Sequence, residues 1–148
     1  MTLWNFVKES NHIEGIDREP YGYEVQAHER LLAVPQLLAT DLVEFVHDVA
    51  KASLRLKLGM NVRIGNHIPP PGGPDIIDDL QEILRDVNNN NDSPFNLHCR
   101  YEALHPFMDG NGRSGRAVWA WHMQRNGADP FAIGFLHRWY YQSLSGPR

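Results

Sequence analysis

Apolar positions recur at helical spacing through most of the chain. From Glu24 to Ala33, Val25, His28, Leu31 and Leu32 fall on one side, and Pro35 then interrupts the pattern. Thr40 reads as the N-cap of a helix reaching about Ala52, with Leu42, Val43, Phe45, Val46 and Val49 as its apolar face. Ile76, Ile77, Leu80, Ile83, Leu84 and Val87 share one side of a helix over about Asp75–Val87. Ser93-Pro94 is a cap and first-turn pair for a helix to about Leu104. Further helices are expected over Leu3–Glu14, with Gly15 just past the end, over Gly112–Arg125 before Asn126-Gly127, and over Phe135–Leu144. The pattern predicts a mainly α, compact helical bundle.

One stretch departs from this periodicity. Val62 and Ile64 alternate with Asn61 and Arg63, and Gly65-Asn66 can turn the chain, which predicts a short β-hairpin over about residues 60–69. The run Pro69-Pro70-Pro71-Gly72-Gly73-Pro74 ends it as a stiff connector, and Asn88–Asn91 reads as a solvated loop. With no internal repeat and no long flexible linker, the 148 residues are expected to form a single domain.

Composition narrows the function more than the fold. A hydrophobic content of 42% and a charged content of 22% are ordinary for a globular protein. A formal net charge of −4 gives no basic excess for nucleic acid, so no nucleic-acid partner is expected. No apolar run approaches the roughly 20 residues that span a bilayer, and Met1–Ser10 lacks a secretory signal pattern, so no membrane partner is expected either. The lone Cys99 forms no internal disulfide and reads as a small core residue. Together these features lead to the expectation of a cytoplasmic protein.

The chemistry concentrates in His105-Pro106-Phe107-Met108-Asp109-Gly110-Asn111-Gly112-Arg113-Ser114-Gly115-Arg116. Gly110 and Gly112 sit where a helix begins, and free N–H groups there, with the positive end of the helix dipole, bind anions. Arg113 and Arg116 emerge on one face of that helix, which suits a polyphosphate. Asp109 is a candidate Mg²⁺ ligand, and His105 is the one group here suited to be a general base near neutral pH. Singly, each feature has a plain structural reading: a turn, a capping histidine, solvated arginines. Together in one segment they describe nucleotidyl or phosphoryl transfer. The chain carries neither a Walker A loop, nor a kinase-type glycine loop, nor zinc-type spacing of Cys and His.

This segment resembles the signature of the Fic family, His-Pro-Phe-x-Asp/Glu-Gly-Asn-Gly-Arg-x-x-Arg, at every specified position. The resemblance implies a Fic-type helical bundle that transfers AMP from ATP, with Mg²⁺, to a Ser, Thr or Tyr hydroxyl of a target protein, its own chain included. It casts His105 as the base and Asp109 as the Mg²⁺ ligand. Gly110, Asn111 and Gly112 become the anion hole, with the Asn111 side chain contributing. Arg113 holds the β-phosphate, Arg116 holds the γ-phosphate, and Phe107 anchors the loop in the core. The related Doc group typically has Lys where Gly112 stands, so Gly112 and Arg116 favour the AMP-transferring branch. The stretch with Asn61, Val62, Arg63 and Ile64 resembles the flap that docks the target by strand addition. Tyr140 and Tyr141 resemble residues that border the adenine in relatives.

Ser10-Asn11-His12-Ile13-Glu14-Gly15 resembles the inhibitory motif of many Fic proteins, in which Ser10, Glu14 and Gly15 are the specified positions. The resemblance implies an inhibitory helix over residues 1–16 whose Glu14 pairs with Arg116 and keeps ATP out of its in-line pose. Alternatives remain open on the sequence: removal of AMP, with Glu14 aligning a water; transfer of another nucleotide or of phosphocholine; or a non-catalytic nucleotide-binding module.

Overall fold

The computed structural model describes residues 2–132, within which lie six helices. The expected helix over Phe135–Leu144, with Tyr140 and Tyr141, falls outside the described residues.

Helix α1 spans Leu3–Ile13, with the Thr2 hydroxyl accepting from the Asn5 N–H. Glu14 follows as its C-cap, and Gly15, at φ +80°, turns the chain away. Helix α2 spans Gly22–Ala33, and the Glu24 carboxylate reaches back 2.7 Å to the Tyr21 N–H. Helix α3 spans Ala39–Ala50 rather than starting after Thr40. Asp41 accepts from the Leu38 N–H at 2.9 Å, so a carboxylate three residues in does the capping that Thr40 was expected to do. Helix α4, Asp75–Asn88, buries the expected apolar side, with Ile77 half-buried. Helix α5, Pro94–Leu104, has Ser93 as its cap. Helix α6, Asn111–Arg125, starts one residue earlier than expected.

Helix α6 is the axis of the fold and packs against α1, α2, α3 and α5. A helix buried on all sides normally needs an apolar surface all round. Here only the C-terminal part is apolar: Ala117, Val118, Ala120 and Trp121 lie in the core. The N-terminal part buries Asn111, Arg113, Ser114 and Arg116 instead, and those groups need partners. The main core joins α2 to α6 around Leu42, Val46, Ile76, Leu80, Leu97, Tyr101 and Phe107. A second, smaller cluster of Phe6, Trp119 and Ala120 seats α1 on α6. Cys99 is half-buried.

The expected β-hairpin over residues 60–69 does not form. One antiparallel bridge joins Ile64 and His67 across the Gly65-Asn66 turn. Three consecutive prolines follow at 69–71 and remove the N–H groups a second strand needs. The Asn61 side chain, 2.9 Å from the Gly72 N–H, closes the segment as a loop instead. Gly72 is wedged there: a Cβ would stand 2.6 Å from both the Lys57 and Met60 carbonyl oxygens. A second isolated bridge, Leu54 with Phe107, lays residues 53–55 antiparallel to residues 106–108.

Candidate active site

The signature segment leaves α5 at His105, which adopts the left-handed conformation (φ 52°, ψ 63°) that usually falls to glycine at a helix end. The strained backbone is held by its N–H bond to the Tyr101 carbonyl at 3.0 Å and by Arg55 Nε, which donates to the His105 carbonyl at 2.6 Å. The His105 Nδ1 lies 3.0 Å from the Glu102 carbonyl oxygen. A carbonyl only accepts, so Nδ1 carries the proton and Nε2 keeps its lone pair. Burial, reinforced by the nearby Arg55 cation, holds the imidazole below its ordinary pKa, so it is neutral at pH 7.

Phe107, fully buried, pins the loop to the core as expected. Asn111 closes it. Its Oδ1 accepts from the Phe107 N–H and its Nδ2 donates to the Phe107 carbonyl, both at 2.8 Å. The Asn111 carboxamide is thus engaged within the loop rather than turned toward a ligand. Gly110, at φ +81°, lies so close to α3 that a Cβ would stand 2.9 Å from the Ala50 Cβ. The Ser114 hydroxyl bonds the Gly110 carbonyl and the Tyr101 hydroxyl at 2.8 and 2.6 Å, locking the first turn of α6 to α5.

That first turn has no side-chain cap, so its N–H groups face whatever occupies the loop. Arg113, 6% exposed, donates through one terminal nitrogen to the Val49 carbonyl at 2.8 Å, while its Nε is buried without a hydrogen-bond partner. A buried guanidinium donor beside an uncapped helix start is an anion site in its chemistry. The Asp109 side chain is 72% exposed, bonds the Gly110 N–H at 2.7 Å, and stands 4.0 Å from Arg113. Among the described residues no group of three metal-ligating side chains converges. A lone exposed carboxylate suits Mg²⁺ shared with phosphate oxygens.

Arg116 is buried against α1. Its Nε donates to the Ser10 hydroxyl at 2.8 Å, and a terminal nitrogen donates to the Ser10 carbonyl at 3.0 Å and to Glu14 Oε1 at 2.7 Å. Glu14 also lies against the backbone of Gly112, where a Cβ would stand 2.1 Å from its Oε1. The residues singled out at the two ends of the sequence pattern therefore meet: Ser10 and Glu14 from α1, Gly112 and Arg116 from α6. In the loop after Leu54, Asn61 is tied to Gly72, Val62 is half-buried, Arg63 bonds the Gly65 carbonyl, and Ile64 is 40% exposed.

Three groups at the site escaped the sequence reading. Glu24, 1% exposed, gathers Arg18, Asn11 and the Tyr21 N–H, and so ties α1 to α2. His67 bonds the Ala103 carbonyl at 3.0 Å and rests the Ile64–His67 turn on α5. Arg55 lies wholly buried beneath the loop. Its one sequence signal was a charged residue between Leu54 and Leu56, next to no acid.

The geometry thus combines a neutral histidine at a helix end with an uncapped helix start carrying two buried arginines. The model of the Fic/DOC family matches residues 26–123, a span that includes this entire loop. The chain belongs to the Fic/DOC family. The family match begins within α2, so α1 and its Ser10–Gly15 motif lie outside it. No described helix of this Fic/DOC chain is long and apolar enough to cross a membrane.

Proposed function

We propose that this Fic-domain protein is a protein adenylyltransferase that moves AMP from ATP to a hydroxyl side chain of a target protein, restrained by Glu14. The observation that carries the reading is the buried Arg113 Nε, without a partner, beside the uncapped start of α6. A polyphosphate supplies the acceptors that this donor and the free N–H groups of the first turn lack.

On this reading the backbone N–H groups of Asn111 and Gly112 cradle the α-phosphate, and Gly110, whose N–H is held by Asp109, supplies the turn that presents them. Arg113 takes the β-phosphate and Arg116 the γ-phosphate. The target hydroxyl loses its proton to His105 Nε2 as its oxygen attacks the α-phosphorus. The bond from that phosphorus to the bridging oxygen breaks, and pyrophosphate leaves with the electron pair. Mg²⁺, bound through Asp109, would supply charge neutralisation for the phosphates. Glu14 occupies the Arg116 donors that the γ-phosphate requires, so ATP enters without reaching the in-line pose.

Labelling with [α-³²P]ATP and Mg²⁺ tests this directly. Wild type, Glu14→Gly, and Glu14→Gly combined with His105→Ala or Asp109→Ala are incubated with a cell lysate as target source, and label on protein is scored. Strong labelling by Glu14→Gly, weak labelling by wild type and none by either double variant is expected. No label from any of them removes AMP transfer. The partly exposed Glu14 carboxylate beside Gly112 also favours one second reading, AMP removal with Glu14 orienting water. Release of AMP from a modified target by wild type but not by Glu14→Gly would establish it.

A further inference from the structure

Arg55 is a buried cation with no carboxylate beside it among the described residues. Burial alone disfavours its charge, so the cation needs strong compensation from dipoles. It finds this in backbone carbonyls from two separate segments. On one side Nε reaches the His105 carbonyl at 2.6 Å and one terminal nitrogen reaches the Leu104 carbonyl at 2.8 Å. On the other side the second terminal nitrogen reaches the Pro70 carbonyl at 2.8 Å and the Met60 carbonyl at 3.2 Å. Its own backbone continues the pattern: the Arg55 N–H donates to the Pro106 carbonyl and the Arg55 carbonyl accepts from the Gly73 N–H, both at 2.9 Å.

We propose that Arg55 is a positioning residue, whose guanidinium fixes the backbone of His105 and both ends of the 60–70 loop in one shared geometry. The proposal rests on the reading of His105 as the base and of the 60–70 loop as the target-facing element. Leu104 and His105 are the last carbonyls of α5, and the left-handed turn at His105 aims the imidazole. Met60 and Pro70 bracket the loop that carries Val62, Ile64 and Ile68. Beyond the single Ile64–His67 bridge no β-ladder among the described residues holds that loop, so its shape depends on Arg55, on the Asn61–Gly72 bond and on the His67–Ala103 bond. A planar fork with five donors in fixed directions can bridge four carbonyls; an ammonium with three donors on a flexible stem cannot. The four Arg55 side-chain hydrogen bonds go to backbone carbonyls of residues other than Gly112, Arg113 and Arg116, the groups assigned to ATP.

The test compares Arg55→Lys and Arg55→Met with the parent chain, all in the Glu14→Gly background and all as the full-length protein. Hydrogen–deuterium exchange without nucleotide is the first readout. Faster exchange in residues 56–72 and in residues 103–108 together, with α4 and the C-terminal half of α6 still protected, is expected. Steady-state labelling is the second. A small displacement of a base costs on the order of ten- to a hundred-fold in rate. A kcat loss of about that size, a raised KM for the target and an ATP KM within about two-fold of the parent are therefore expected. If Arg55→Met unfolds globally, Arg55→Lys, which keeps the charge and the stem, decides the question. Exchange that changes on one side only, or an unchanged kcat in a folded Arg55→Lys, overturns the proposal. If the parent shows no transferase activity, the functional reading fails, and the exchange pattern still decides whether Arg55 couples the two segments.

Discussion

Gly112→Ala isolates the contact between α1 and α6 with one methyl group. The added Cβ would stand 2.1 Å from Glu14 Oε1 and 3.0 Å from both Glu14 Cδ and the Arg116 Nη1. Carbon and oxygen approach to about 3.3 Å without cost, so the carboxylate must withdraw by about 1 Å. Its 2.7 Å bond to Arg116 does not survive that movement. A hydrogen bond between charged groups contributes about 1.5–3 kcal/mol. The lower end applies here, because the Glu14 side chain is 35% exposed and water screens it. About 1.5 kcal/mol corresponds to roughly a ten-fold change in an equilibrium. Alanine also gains up to about 1 kcal/mol over glycine in a helix, so the melting temperature should change little while the Glu14–Arg116 bond is lost. The assay is labelling with [α-³²P]ATP, with ATP affinity by calorimetry alongside. Gly112→Ala should label about ten-fold more than wild type, and comparing the Glu14→Gly/Gly112→Ala pair with Glu14→Gly alone separates loss of the carboxylate contact from crowding of Arg116 and the phosphate cradle. Wild-type labelling by a folded Gly112→Ala, when Glu14→Gly labels strongly, refutes the reasoning. A fall in the double variant below Glu14→Gly shows instead that the methyl obstructs the phosphate site itself.

Two further perturbations probe what holds the site. His28 is wholly buried against Phe6 and Phe45, and burial pushes its pKa down to about 4. The unfolded imidazole takes up a proton below about pH 6.5 and the folded one does not until about pH 4, so stability falls as pH drops through that window, by about 2 kcal/mol at pH 5. Urea midpoints at pH 7 and pH 5 should separate for wild type and draw together for His28→Phe; equal separations in both place the acid sensitivity elsewhere. Asn111→Ala removes both bonds to the Phe107 backbone and leaves a buried N–H unpaired, at a cost of about 1–3 kcal/mol. Thermal melts should register that loss together with weaker ATP binding, whereas a stable variant that binds ATP normally would show that the loop holds its shape without the amide.

The site was legible in sequence where its chemistry is contiguous. His105 to Arg116 lie in one turn and one helix start, so their grouping in space follows from local spacing, while the role proposed for each comes from the resemblance. The Ser10–Glu14 motif was legible only through resemblance, because its partner Arg116 is 102 residues away from Glu14. Helix periodicity identified α1 to α6, and errors of a residue or two arose where a side chain such as Asp41 caps from inside the helix. The hairpin was misread because alternation over four residues cannot outweigh three prolines beside it and an Asn61 side chain that closes the loop another way. Arg55 left almost no trace, since all its side-chain partners are backbone carbonyls, which every residue carries. Glu24 was hidden similarly: its partners lie on α1 and in the connection to α2, and nothing in its spacing sets it apart from a solvated acid.

On the proposed reading, the way α1 is attached separates holding from inhibiting. Phe6 is buried against α6 and α2 and Val7 is buried beside it in sequence, and burying one such side chain contributes about 1.5–3 kcal/mol. Asn11 and Arg18 add a second tie through buried Glu24. The Glu14–Arg116 bond stands apart, at the C-terminal tip, on a side chain that water reaches. Its share of about 1.5 kcal/mol is below that of the two buried side chains together, so the tip can let go while the helix stays docked. Ser10, buried and bonded twice by Arg116, then keeps that guanidinium near its present place. On the proposed reading, freeing the enzyme needs only a rotation of Glu14 away from Gly112. The γ-phosphate inherits an arginine that is already positioned, and α1 passes from brake to a wall of the nucleotide site without unfolding.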